Sequence, residues 1–432
     1  MKMKIQFYLI LLIAYQSFGQ NLYFPPRGND WQTMNPKELG WCDANIDALY
    51  SFLDSTNSKA FIVLKDGKIV LEKYFKTFTQ DSNWLWNSAG KTLTGFSIGI
   101  AQQEGFLSLD DMSSKYLGKN WTSCTPEQED KITIRHQITM TTGLDDGTGN
   151  ADCTSPNCLL YKADAGTRWA YHNGPYTLLD QVISKATNAT LSSFVNSRIL
   201  TPIGAQGAYF KFGDNNVFIS KPRSMARFGL LLLAKGNWNG VQILKDQNYF
   251  QQMTNSSQMI NPSYGYLTWL NGKSSYKLPG LQFTFQGSLL NAAPSAVYAA
   301  IGKNGQIINV DPASNLVFVR MGDAPSANSL VPTEYNNEIW NRINQLKCQT
   351  STSDFNLSDF NFRVLQEQLV VECSQTNIGA NLYIYNSNQQ IVIHRKIHSH
   401  FTEISLRDLP SSVYTIIFQS KDGVTHKRFY KS

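Results

Sequence analysis

Two residues that can act as a nucleophile and its base, Ser88 and Lys91, lie three positions apart. If a helix begins near Ser88, residues three apart share one face, so the lysine amine would lie beside the serine hydroxyl and could accept its proton. This requires a dry site beside another cation, where both effects lower the lysine pKa toward neutrality. The spacing therefore predicts a lysine-activated serine, although serine is also a common helix N-cap.

A serine–histidine–aspartate triad is not expected, because His136 and His172 are the only histidines before residue 349. The stretch 95–99 does fit the Gly-x-Ser-x-Gly pattern of a nucleophile elbow around Ser97. An elbow joins a strand to a helix and needs a histidine late in the domain, whereas Ser97 falls within the predicted helix. We therefore interpret Ser97 as a helix-packing residue.

Two later motifs could complete the site of a lysine-assisted serine. In the first, Tyr171 could relay protons and Asn173 could bind substrate or steady Lys91. The second is the run Lys303, Asn304, Gly305 and Gln306. It lies at the predicted edge of a late strand, where a cation, a glycine backbone and an N–H group could face the serine. Both motifs can also be purely structural. A Tyr-x-Asn tripeptide recurs at 335–337 in a predicted helix, and a Lys-x-Gly tripeptide recurs at 65–67 in a predicted turn.

The elements around these motifs predict an α/β domain. Helical patterns cover 43–54, 88–104, 174–186, 191–200, 224–235 and 333–346, and strand patterns cover 60–64, 69–71, 296–302, 306–310 and 316–321. Strands and a helix near both ends predict one antiparallel sheet, flanked by N- and C-terminal helices, with a mainly helical insertion. The active site would lie between the sheet and the insertion.

The two ends of the chain carry separate signals. Residues 1–19 have two lysines, a short apolar run and small residues at the cleavage positions, which predicts a secretory signal peptide. Residues 349–354 form a Ser/Thr-rich linker, and 355–432 show short alternating strands that predict a small β-sandwich. The main domain is therefore expected to span 20–348.

The composition favours an exported globular protein. Only 16% of the residues are charged, and the net charge of +6 includes no Lys/Arg block, so neither nucleic acid nor a membrane surface is expected as a partner. No segment after the signal peptide is long enough to span a membrane.

Six cysteines fit an oxidising compartment, and Cys153 and Cys158 are close enough to bridge a loop. No histidine lies beside that pair, so no metal site is expected. The pairing of Cys42, Cys124, Cys348 and Cys373 stays open.

Several segments resemble the penicillin-recognising serine hydrolases, the superfamily of class C β-lactamases, D,D-peptidases and esterases. They are Ser88–Lys91, Glu104–Asp111, ITIRHQITMTTGL at 132–144, Tyr171–Asn173, Arg227–Leu233, Gly236–Trp238 and Gly302–Gln306. The resemblance covers roughly residues 40–345 and follows the order of the family's motifs. It implies Ser88 as the nucleophile, Lys91 as its activator and Tyr171 as a second acid/base group, without a metal or organic cofactor.

The resemblance also implies substrate-binding roles. Asn173 would be an amide on the substrate side, and the N–H groups of Ser88 and Gln306 would form the oxyanion hole. Lys303 matches the start of the family's Lys-Thr-Gly strand motif. Asn304 stands where threonine is usual, which favours ester, amide or peptide-like substrates over β-lactams.

The C-terminal region resembles the sorting domain of the type IX secretion system. The matching segments are Leu409–Ile416, Lys421–Gly423 and Lys427–Lys431. This resemblance implies the secretion machinery as a partner and a secreted, periplasmic or cell-surface location. We therefore predict a secreted serine hydrolase. The alternative is an inactive penicillin-binding-like module on the cell surface or on peptidoglycan.

Overall fold

The structure is a computed structural model that describes residues 22–150, 152–326, 332–348, 360–365, 367–388, 390–421 and 423–431. The predicted signal peptide and linker lie outside these ranges. Contacts divide the chain into two units, Met1–Cys348 and Gln349–Ser432. Within the described ranges, every helix is too short or too polar to cross a membrane.

A six-stranded antiparallel sheet forms the centre of the first unit. Its strands, in spatial order, are Lys68–Tyr74, Ser58–Lys65, Leu316–Gly322, Gln306–Asp311, Tyr298–Gly302 and Trp269–Leu270. The three strands between 298 and 322 are buried along their whole length, as expected for apolar runs covered on both faces. The predicted sheet assembled from the two ends of the domain is confirmed.

Helices from both ends of the domain cover the sheet. Asp43–Ser55 buries Ile46, Leu49 and Leu53, and the late helix Thr333–Asn344 buries Ile339, Trp340 and Ile343. A disulfide between Cys42 and Cys348 joins residues beside these two helices, a pairing that the sequence left open. The helix Pro222–Leu233 packs closely on the strands, because a Cβ at Gly229 would lie 2.6 Å from Val317 Cγ1.

The region between the two halves of the sheet is mainly helical, as predicted. Its α-helices are Gly90–Gln103, Ser114–Leu117, Pro126–Glu129, Ile134–Ile138, Asn173–Thr177, Leu179–Thr187, Leu191–Val195, Thr201–Ile203, Pro222–Leu233 and Gln247–Met253. Small sheets join Trp84–Leu85, Asn215–Ser220 and Gly207–Phe212, then Asn237–Trp238 with Val241–Gln242, and Ser275–Tyr276 with Phe285–Gln286.

The second unit is a β-sandwich, as predicted. One sheet contains Phe360–Leu365, Gln368–Cys373 and Phe401–Ser405, and the other contains Ile391–Lys396, Asn381–Tyr385, Ser412–Ser420 and Gly423–Lys431. Phe360 of the first sheet stacks on Phe418 of the second, with ring centroids 4.1 Å apart. Leu382 and Ile416 are fully buried in the same core.

Candidate active site

Ser88 lies in a tight turn, Asn87–Ala89, that leads directly into the helix Gly90–Gln103. The Lys91 amine lies 3.3 Å from the Ser88 hydroxyl oxygen, so the predicted contact between the two side chains is present. Asn87 has a left-handed backbone with φ of 47°, which asparagine tolerates better than most residues and which often marks a functional turn. Nothing in the sequence pattern had pointed to Asn87 as a special backbone position.

Lys91 is almost completely buried, with 5% of its surface exposed. Burial lowers the pKa of Lys91 to about 7, and the nearby Asp152 carboxylate partly opposes this shift. The prediction of a neighbouring cation was therefore wrong. Desolvation lowers the pKa of Lys91, and the neighbouring charge, on Asp152, is negative. The amine also lies 4.0 Å from the ring centroid of Tyr176 and 5.3 Å from that of Tyr171. These aromatic rings help to supply the dry surroundings that a lysine base requires.

Tyr171 lies beside the nucleophile and stacks on Trp269, with ring centroids 5.8 Å apart. Burial raises the pKa of Tyr171 above its ordinary value, and a hydrogen bond with Ser88 partly offsets this increase. The phenol therefore stays neutral at physiological pH. It can pass a proton between Ser88, Lys91 and a leaving group, but Lys91 is much better suited to be the base.

Asn173 begins the helix Asn173–Thr177, and its Nδ2 donates to Asp152 Oδ1 at 2.6 Å. Asp152 was missed in the sequence because it lies in a loop without periodicity. The predicted disulfide between Cys153 and Cys158 is present in that loop.

Gly302 is the glycine at which strand and nucleophile approach each other closely. A Cβ at this position would lie 2.5 Å from the Trp86 carbonyl oxygen, 2.7 Å from the Ala89 nitrogen and 3.0 Å from the Ser88 nitrogen. The neighbouring Lys303 carbonyl accepts a hydrogen bond of 2.8 Å from the Asn87 side chain. The strand Tyr298–Gly302 therefore ends directly against the serine turn.

The other residues of the predicted strand-edge motif point elsewhere. Asn304 and Gly305 form a turn with positive φ, and Arg320 donates to both of their carbonyl groups. Gln306 starts the next strand, is fully buried and bonds through its amide to Gly322. Of this motif, only Lys303 lines the cleft. The expectation that Asn304, Gly305 and Gln306 face the substrate is not met, because the chain turns at these residues instead of continuing along the strand edge.

The cleft has two limbs that meet at Ser88, Asn173 and Lys303. The aromatic limb, about 380 Å³, also includes Tyr171, Trp269, Pro279, Gly280, Ile301, Asp146 and Thr333. The polar limb, about 310 Å³, also includes Lys91, Asp152, Tyr176, Phe212, Asn215 and Asn216. Because the nucleophile lies where the limbs meet, the two parts of a cleaved substrate can occupy different limbs.

Histidine does not take part in this site. His172 is buried, and burial lowers its pKa to about 4, so its ring is neutral. Neither His136 nor His172 lines either limb. Ser97 Oγ donates to the Leu93 carbonyl within the helix, which confirms that Ser97 is a packing residue. Among the described residues, no group of three or more His, Cys, Asp or Glu side chains is placed to hold a metal ion.

Comparisons with known proteins identify the family and the fold. A family model described as Beta-lactamase matches residues 52–333. An uncharacterized protein of Alkalihalophilus pseudofirmus is 25% identical over 314 residues, which cover 64% of this chain and 86% of that protein. A candidate 6-aminohexanoate-dimer hydrolase from Bacillus anthracis aligns with a TM-score of 0.55 and 19% identity, over 76% of this chain and 90% of its own. A penicillin-binding protein homologue from Caulobacter crescentus aligns with a TM-score of 0.54 and 12% identity, over 71% of this chain and 98% of its own.

The fold is that of the β-lactamase-like and penicillin-binding-like serine hydrolases. The family match spans more than half of the chain, so the chain belongs to the beta-lactamase family.

Proposed function

We propose that this protein hydrolyses an ester or amide bond through an acyl-enzyme on Ser88. The observation that carries the proposal is the 3.3 Å contact between Lys91 Nζ and Ser88 Oγ, made by a lysine whose pKa burial lowers to about 7. At neutral pH a large fraction of such an amine is uncharged, so it can accept the serine proton.

In the proposed reaction, Lys91 takes the proton from Ser88 Oγ as that oxygen attacks the substrate carbonyl carbon. The N–H groups of Ser88 and Lys303 would stabilise the oxyanion, since Gly302 seats the strand end against the serine turn. Tyr171 passes the proton to the leaving group as its bond to the carbonyl carbon breaks. Water then attacks the acyl-enzyme and gives its proton to Lys91. Lys91 returns this proton to Ser88 Oγ as the bond between Oγ and the acyl carbon breaks and the carboxylic acid leaves.

The strand beside Ser88 supports an extended substrate. Tyr298 and Ala299 pair with Trp269–Leu270, whereas the described structure pairs no strand with that edge from Ala300 to Gly302. The free edge could bind the backbone of an acyl chain. The strand end from Ile301 to Lys303 offers no side-chain hydroxyl for a β-lactam carboxylate. We therefore expect esters and short amides to be turned over faster than penicillins.

We further propose that the protein is exported, with residues 1–19 as signal peptide and the C-terminal sandwich as a type IX sorting domain. The two disulfides support an oxidising compartment. Among the described residues, those that line the two limbs of the cleft belong to the first unit.

Covalent labelling tests the proposed reaction. Intact-mass spectrometry with a fluorophosphonate and a penicillin in parallel should show stoichiometric fluorophosphonate addition that Ser88→Ala abolishes. p-Nitrophenyl ester hydrolysis should depend on Ser88 and exceed penicillin hydrolysis. Absence of both labelling and turnover would favour an inactive binding module.

A further inference from the structure

The polar limb contains a carboxylate, Asp152, that the proposed acylation does not use. It immediately precedes the Cys153–Cys158 disulfide. This loop packs against the helix that carries Asn173, since a Cβ at Gly174 would lie 2.4 Å from the Cys153 carbonyl oxygen. The disulfide and this close packing hold the Asp152 carboxylate in the wall of the limb.

The hydrogen bond between Asp152 and Asn173 fixes the orientation of the amide. A carboxylate can only accept, so Asn173 must turn its Nδ2 toward Asp152, at 2.6 Å. The other amide atom, Asn173 Oδ1, is buried without a hydrogen-bond partner in the described structure. The pair therefore uses one amide N–H group internally, and the Asp152 carboxylate remains an acceptor in the wall of the limb.

The charge of Asp152 is not balanced by an ion pair. In the aromatic limb, Asp146 is neutralised by Arg168, whose Nη2 lies 2.5 Å from its carboxylate. Asp152 forms no ion pair with any described residue, and Lys303, which lines the same limb, is exposed. Lys91 also lines the limb, but it must be uncharged to act as the base. A negative charge thus lies beside the nucleophile without a permanent cationic partner.

We propose that Asp152 binds a primary ammonium group of the substrate, so that the enzyme prefers esters or amides with a free amine on the part that occupies the polar limb. An ammonium group donates hydrogen bonds and carries a positive charge, both of which suit an unpaired carboxylate. The inference rests on the proposed Ser88 hydrolysis and adds a substrate class to it.

Matched substrates test this preference. In one pair the amine is on the acyl part, as γ-aminobutyryl p-nitroanilide against its pentanoyl counterpart. In the other pair the amine is on the leaving group, as the aminoethyl amide of hexanoic acid against the propyl amide. In each pair an ammonium group replaces a methyl group. We expect kcat/KM to be higher for the amine in one pair by about tenfold or more, the effect of one charge-assisted hydrogen bond. The pair that responds identifies which part lies in the polar limb.

Asp152→Asn keeps an acceptor for Asn173 but removes the charge, so it should reduce the amine preference to nearly one. Asp30→Asn, which removes an exposed carboxylate outside both limbs, should leave the preference unchanged. This inference alone would be overturned if hydrolysis depends on Ser88 but shows no amine preference in either pair. It would also be overturned if the amine preference survives in Asp152→Asn. Loss of Ser88 dependence would instead refute the proposed function.

In the same variant, the pH profile for a neutral ester provides a second readout. The Asp152 carboxylate stabilises the protonated form of Lys91, so its removal should move the acidic limb of kcat/KM to lower pH. An unchanged or upward-shifted limb would contradict the placement of this charge beside the base.

Discussion

Gly302→Ala should sharply lower the activity of the protein without unfolding it. The Gly302 backbone, with φ of −127° and ψ of 156°, is one that alanine adopts freely, so the substitution adds only a methyl group. That methyl carbon would lie 2.5 Å from the Trp86 carbonyl oxygen and 2.7 Å from the Ala89 nitrogen. Both neighbours are backbone atoms of the serine turn, so neither can move aside as a flexible side chain would.

The expected size of the effect follows from this geometry. Restoring ordinary contacts requires the strand end and the serine turn to separate by roughly 1 Å, and a displacement of that size at reacting groups costs about 100-fold in rate. The cost in folding free energy should be about 1–3 kcal/mol, as for other overpacked sites. A folded variant with sharply reduced kcat/KM is therefore expected.

The assay compares p-nitrophenyl ester turnover and thermal unfolding of wild type, Gly302→Ala and Gly90→Ala. Gly90 lies on the same helix start, but there a Cβ would lie 3.4 Å from Phe218 Cβ, which is an ordinary contact. Gly90→Ala should therefore keep most of the activity. Wild-type kcat/KM in Gly302→Ala would refute the idea that the strand end and serine turn form one catalytic unit.

Three other predictions concern the base, the exposed lysine and the second unit. Ser88→Ala, Lys91→Ala and the double variant should lose similar activity, because interdependent groups are not additive; losses that multiply in ester assays would contradict a shared role. Lys303→Ala should weaken turnover of anionic substrates more than that of neutral esters, because burial rather than Lys303 lowers the pKa of Lys91; equal losses for both substrates would count against this. A chain ending at Cys348 should fold and hydrolyse esters at the full rate, since both limbs of the cleft are lined from the first unit; loss of activity with native circular dichroism would argue for a catalytic role of the second unit.

Sequence patterns predicted those parts of the site that depend on local spacing. The contact between Ser88 and Lys91 follows from a three-residue offset at a helix start. The glycine expected to approach the serine was Gly305, and this prediction was wrong, because Gly302 makes the approach. The pattern did not reveal that the chain turns at Asn304 and Gly305. Gly302 and Gly305 are only three residues apart, and the position of the turn depends on how Arg320 binds the carbonyl groups of Asn304 and Gly305.

Features that depend on contacts between distant parts of the chain could not be predicted from sequence patterns, for a different reason. Cys42 and Cys348 are 306 residues apart, and several pairings of the cysteines were equally compatible with the chain. Asp152 lies in a loop, and only the tertiary fold brings it to Asn173 and Lys91. The low pKa of Lys91 was expected from a dry site beside a cation, but the fold supplies burial beside a carboxylate.

The most direct test of the central claim is the pH dependence of Ser88 acylation. The second-order rate of fluorophosphonate labelling, followed by intact mass at increasing pH, reports whether the base is uncharged. Because the reaction requires neutral Lys91, the rate should rise with pH, break at about 7 and stay level above it. A rate that is flat across this range, or that rises only near the ordinary lysine pKa of about 10.4, would contradict a buried, neutral Lys91 as the base.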